Sequence, residues 1–233
     1  MRLLFLHALP FGGEMWEEEV RHFGPDAVAP TLYDEGETLE EWARAALGAV
    51  GDEPFIVVGC SIGGSCALEV ARLAPGRVAG VVLIGAKAGV RPEPAERDRA
   101  VACLSAAGVD AAWFEFWRPL FGPDTSPTTL DHGLALARRV GAPSLARGVR
   151  AFHDRADRSD VAQRWTKPLV GICGEHDGTP GAAVMRALAT GASRHFHVVN
   201  DCGHYVNLEQ PQRLRRLLDE AVEMISSGRF DTR

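Results

Sequence analysis

Apolar residues along this chain fall into two alternating patterns. Short runs that are apolar at consecutive positions occur at residues 2–7 (RLLFLH), 27–30 (AVAP), 55–59 (FIVVG), 78–85 (VAGVVLIG), 169–174 (LVGICG) and 195–200 (HFHVVN). Such runs predict strands covered on both faces, as in a parallel sheet wrapped by helices. Between them the period changes to that of an amphipathic helix, after a capping box at Thr38 and Glu41 (LEEWARAALGAV), after Ser61 (GGSCALEVARLA), after Pro180 (GAAVMRALAT) and at residues 211–225 (PQRLRRLLDEAVEMI). Strands alternating with helices predict an open α/β sheet with right-handed crossovers.

One region departs from the alternation. Residues 91–164 hold helix-like stretches, an aromatic cluster (WFEFW, 113–117) and loop punctuation (FGPDTSPTT, 121–129), with no convincing strand. A helical insertion between two strands of a parallel sheet predicts a lid over the strand ends, where open α/β sheets bind ligands. The expected organisation is a core of residues 1–90 and 165–233 with residues 91–164 as the lid. A chain of 233 residues suits that plan of one domain plus an insertion.

Composition narrows the class. Apolar residues make up 46% and charged residues 24%, as in a globular protein. The net charge of -6, with arginines scattered among acids, argues against a nucleic-acid partner. No run reaches the length of a membrane span. The first eleven residues imitate a signal peptide, but His7 and Pro10 interrupt the apolar run and no small-residue cleavage site follows. The five cysteines form no CxxC pair and predict buried free thiols in a reducing compartment, hence a cytoplasmic protein.

The chemistry centres on GCSIG, residues 59–63. It matches G-x-S-x-G between a strand and a helix, the context that lifts a serine hydroxyl above a sheet on a strained turn. A serine hydroxyl is too weakly acidic to attack unaided; an imidazole must take its proton and a carboxylate must orient the imidazole. Asp177 follows the 169–174 run and His204 follows the 195–200 run. Glu175 is the rival acid, set aside because the turn, not the strand's last residue, carries a group that reaches across. His7 predicts a positional role, His176 and Asp201 surface roles, Cys60 packing beneath the turn, and Trp16 core packing.

The segments LHALP, GCSIGG, RVAGVVLIG, GEHDGTP and CGHYVNLEQP together resemble the α/β-hydrolase superfamily, in its lid-bearing esterase, lactonase and peroxidase-like branch. The resemblance implies nucleophile Ser61, acid Asp177 and base His204, with the backbone N–H groups of Ile62 and Leu9 as the oxyanion hole. It departs from the family in two places. Ala8 stands where relatives usually carry glycine, and the chain starts directly on the 2–7 strand without the usual N-terminal β-hairpin, which leaves AVAP as a sheet edge. The expected activity is hydrolysis of a small or medium carboxylic ester, lactone or thioester through an acyl-enzyme on Ser61, with a small-molecule substrate, no cofactor, no metal, no membrane partner, and a monomer or homodimer. A C–C hydrolase or lyase using the same three residues, and a binding protein without turnover, are the alternatives. Of the lid aromatics, Trp113, Trp117, Phe121 and Phe152 are the candidates for contact with substrate.

Overall fold

The computed structural model describes residues 1–191 and 193–228. Six strands form one sheet: β1 (Arg2–Leu6), β2 (Ala27–Val28), β3 (Phe55–Cys60), β4 (Val78–Ile84), β5 (Leu169–Gly174) and β6 (Arg194–Val199), in the order β2-β1-β3-β4-β5-β6. Every pairing is parallel. Strands β3 and β5 are buried along their whole length, which is why their sequences are apolar at every position. β2 is shorter than the AVAP run and stops before Pro30, which has no N–H to offer a ladder. It is one edge of the sheet and β6 is the other.

Helices α1 (Glu17–Phe23), α2 (Leu39–Val50), α3 (Ile62–Leu73), α8 (Ala182–Leu188), α9 (Val206–Glu209) and α10 (Pro211–Ser227) belong to the sheet. The capping box of α2 is formed: the Glu41 N–H donates to Thr38 Oγ1 at 3.3 Å and the Thr38 N–H donates to Glu41 Oε2 at 3.0 Å. Between β4 and β5 run α4 (Pro94–Ala112), a π-helical turn at Trp113–Trp117, a 3-10 turn at Arg118–Leu120, α5 (Pro127–Val140), α6 (Ala142–His153) and α7 (Ser159–Arg164), with no strand among them. Among the described residues no helix is long and apolar enough to cross a membrane. All five cysteines are free, and all but Cys103 are buried.

Carboxylates help to fasten this helical insertion to the rest of the chain. Glu209 takes four hydrogen bonds: Oε2 accepts from Gly122 N–H at 2.7 Å, Thr125 Oγ1 at 2.7 Å and Gly203 N–H at 3.0 Å, and Oε1 accepts from Tyr205 N–H at 3.1 Å. At the other end, buried Glu69 of α3 pairs with Arg158 at 2.7 Å, and the Arg158 N–H donates to Ala88 O at 2.9 Å.

Candidate active site

Ser61 sits between β3 and α3 with φ 55° and ψ −117°, in the region that L-residues avoid. The strain is imposed by the neighbours. A Cβ on Gly59 would collide with the Gly63 carbonyl, and a Cβ on Gly63 would collide with the Leu6 carbonyl, so the turn closes only with glycine at both positions. Three hydrogen bonds fix the turn: Ser61 N–H to Ile84 O at 2.9 Å, and Gly64 and Ser65 N–H to Ser61 O at 3.0 and 3.2 Å. Ile62 opens α3, and its N–H has no acceptor four residues back within the helix.

Asp177 follows β5 and His204 follows β6. His204 Nδ1 lies 3.0 Å from Asp177 Oδ2, and both side chains are buried. Asp177 Oδ1 also accepts the Thr179 N–H at 2.8 Å, and the Cys173 thiol donates to Oδ2 at 3.8 Å. Burial alone would raise the Asp177 carboxyl, but the hydrogen bond and charge of His204, with Thr179 and Cys173 added, hold its pKa below the ordinary carboxylate value. Gly85 (φ 53°) is needed alongside, because a Cβ there would lie 2.9 Å from Asp177 Oδ2 and 3.0 Å from the His204 ring. The His204 N–H donates to Leu120 O at 2.8 Å, so the insertion helps to hold the imidazole's own backbone.

Ser61 and His204 line one cavity of about 630 Å³. Leu9, Lys87, Leu120, Val149 and Thr179 share its wall, and Glu93, Pro94, Ala95 and Glu96 complete it from the start of α4. Of the four lid aromatics singled out from the sequence, Trp117 and Phe152 reach the cavity, and Phe116 does too. Trp113 and Phe121 do not; they pack with each other (5.5 Å between ring centroids), Trp113 on Phe11 and Phe121 on Tyr205 at 4.7 Å. Phe116 lies three positions after Trp113, and sequence spacing alone could not tell which of the two turns toward the space.

The loop after β1 is held from several sides. Ala8 N–H donates to Met15 Sδ at 3.1 Å, Phe11 N–H to Ala8 O at 2.8 Å, and Tyr205 Oη to Leu9 O at 3.0 Å. Ala8 is not among the non-glycine residues with positive φ, so its methyl meets no left-handed backbone. His7 lies beneath this loop: its Nε2 accepts the Leu32 N–H at 3.0 Å, its ring packs on Tyr33 and Trp42, and burial lowers its pKa to about 4. Cys60 and Trp16 are fully buried, and burial pushes the Cys60 thiol well up. Glu175, His176 and Asp201 form an exposed cluster with ligand atoms within 4.8 Å of one another; Glu175 Oε2 accepts the Asp201 N–H at 3.0 Å, and the acid bonded to His204 Nδ1 is Asp177.

A family model described as the alpha/beta hydrolase family matches residues 3–217. The pimeloyl-[acyl-carrier protein] methyl ester esterase of Aromatoleum aromaticum is 27% identical, over 94% of this chain and 97% of that protein. Among solved structures, the malate-bound thermophilic esterase of Thermogutta terrifontis superposes with a TM-score of 0.86 at 22% identity, covering 97% of this chain and 90% of its own. The enol-lactonase of Burkholderia xenovorans LB400 gives 0.83 at 19% identity, with 95% and 91% covered.

Proposed function

The chain belongs to the alpha/beta hydrolase family, and from that premise we propose that it is a serine hydrolase of a small or medium carboxylic ester, lactone or thioester. One observation carries the proposal: Ser61, held in strained backbone on the cavity wall, shares that cavity with His204, whose other ring nitrogen is bonded to buried Asp177. The esterases and the lactonase of similar fold support the same reaction class.

In the proposed sequence, His204 Nε2 takes the Ser61 proton as Oγ attacks the carbonyl carbon, while Nδ1–H donates to Asp177 and the carboxylate stabilises the imidazolium. The N–H groups of Ile62 and Leu9 receive the oxyanion, each such donor lowering the barrier by roughly 3 kcal/mol. The imidazolium then protonates the leaving alcohol or thiol. Water, deprotonated by His204, attacks the acyl-Ser61 and releases the acid. Residues 91–164 act as the lid that keeps bulk water from this intermediate, and Phe116, Trp117, Leu120, Val149 and Phe152 receive an apolar part of the substrate. Free thiols, four of the five buried, support a cytoplasmic protein that works as a monomer or homodimer on a small molecule.

A fluorophosphonate followed by intact mass tests the nucleophile. A single adduct that disappears in Ser61→Ala is expected; folded protein that stays unlabelled would remove the acyl-enzyme and leave the lyase and binding-protein alternatives. Turnover with no burst of acyl-enzyme would favour the C–C hydrolase or lyase.

A further inference from the structure

The cavity wall beside Ser61 carries a cation that the proposed acyl-transfer steps do not use. Lys87 lies two residues past Gly85, the glycine that abuts Asp177 and His204. Its own carbonyl accepts from Ser65 Oγ of α3 at 3.1 Å, and the next carbonyl, Ala88 O, accepts from Arg158. The Lys87 backbone is therefore fixed between the nucleophile helix and the end of the insertion. The side chain is half-buried and lines the cavity with Ser61 and His204.

Among the described residues nothing neutralises this ammonium at contact distance. Among the described residues Lys87 Nζ makes no hydrogen bond or ion pair; the acids close enough to act on it are Glu93, exposed at the cavity mouth, and Asp177, which is committed to His204 and Thr179. Glu96, also on the wall, is taken by Arg99 at 2.8 Å. Positive charge is added from behind: Arg155 stacks on the Phe152 ring at 4.0 Å, donates to Phe152 O, and donates to Gly89 O at 3.2 Å. Burial first, and Arg155 second, lower the pKa of both Lys87 and His153, which share the cavity wall. A half-buried cation without a counter-charge is a cost that an incoming anion removes.

We infer that the substrate is an ester with an apolar segment and an anionic group, a carboxylate or a group of like charge, and that Lys87 seats this anion. The inference rests on the ester-hydrolase proposal and narrows its substrate class. The anion can belong to the acyl half or to the alcohol half, and matched ester pairs distinguish the two.

The test measures kcat/KM, after subtraction of spontaneous rates, for p-nitrophenyl hemiadipate against p-nitrophenyl hexanoate (acyl side) and for 4-carboxyphenyl hexanoate against phenyl hexanoate (alcohol side). Wild type, Lys87→Gln and Lys87→Arg are compared by the anionic-to-neutral ratio within each protein, so any general loss of activity cancels. A wild-type ratio of about tenfold or more in one pair, as a charge-assisted contact supplies, is expected to fall to parity in Lys87→Gln and to persist in Lys87→Arg. A wild-type ratio at or below one in both pairs, or a ratio that Lys87→Gln leaves intact, overturns the inference. Calorimetric titration of Ser61→Ala with adipate separates this failure from that of the hydrolase proposal. Adipate binding that Lys87→Gln abolishes supports the anion seat even if no ester is turned over; neutral-ester turnover with neither preference nor adipate binding sinks the seat alone; absence of turnover and of binding sinks both.

Discussion

Asp177 shows how one side chain is tuned by the groups that also aim it. Its carboxylate faces His204, Thr179 N–H and Cys173, and these outweigh a burial that would otherwise favour the neutral acid. Replacement by Asn keeps the shape but presents a donor or a neutral acceptor to Nδ1, so Asp177→Asn is expected to lower kcat by about 10³- to 10⁴-fold with little change in melting temperature, checked by ester kinetics and a thermal scan. Glu19 is tuned the other way. It is 1% exposed, one carboxylate oxygen has no hydrogen-bond partner, and burial raises its pKa from 4.5 to about 7 against the opposing pull of Arg215. Between those values the folded chain keeps a proton that the unfolded chain has lost, so stability falls as pH rises from about 4.5 to about 7. Glu19→Gln is expected to remove that slope and to raise stability at pH 8 by about 2–3 kcal/mol, measured by urea unfolding at pH 5 and pH 8. Ser61, Asp177 and His204 were legible as candidates because each follows a run that reads as a strand. Lys87 and Glu209 were not, since a lysine in a loop gains its character from the lack of a partner, and a glutamate at a helix end gains its own from Gly122 and Thr125, distant in sequence.

Among the elements, the strand-turn-helix around Ser61 was the most legible, because its glycines answer a steric demand that three backbone segments make at once. Gly63→Ala is expected to force the Leu6 and Ser61 backbones apart, lowering activity more than the conservative change suggests; ester kinetics beside circular dichroism would register an active-site loss in a folded protein. β1, β3, β4 and β5 were legible for the simpler reason that both of their faces are covered. The ends of β2 were less so: its run continues into Pro30, and pairing with β1 covers only Ala27 and Val28. Within the insertion, helix content was legible but orientation was not. Trp113 and Phe116 lie on the same π-helical turn, yet one joins the packing with Phe11 and Phe121 and the other meets the cavity. Phe152→Ala is expected to widen the apolar wall and shift the preferred acyl chain of p-nitrophenyl esters to longer homologues, read from a length series against wild type.

At the scale of the whole molecule, the parallel sheet brings the three candidate catalytic groups to the carboxyl ends of β3, β5 and β6, and the insertion between β4 and β5 supplies the opposite wall of the cavity. Charge-assisted hydrogen bonds to Glu209 couple the two halves, and four donors meet on a single carboxylate. Glu209→Ala is expected to cost about 2–4 kcal/mol of stability by leaving Gly122, Gly203 and Tyr205 N–H without their acceptor, and to lower kcat because the His204 loop loses its tether; Glu209→Gln should fall between, and denaturant titration with kinetics would rank the three.

The same carboxylate limits how this enzyme could be re-engineered by exchanging roofs. A foreign insertion spliced in at β4 and β5 would arrive without the Gly122 N–H and the Thr125 hydroxyl that donate here, and Glu209, far downstream in the recipient, would face a mismatched surface. A working chimera therefore has to carry residues 120–125 and the loop from Gly203 to Glu209 as one transplanted piece, although some eighty positions of chain lie between them.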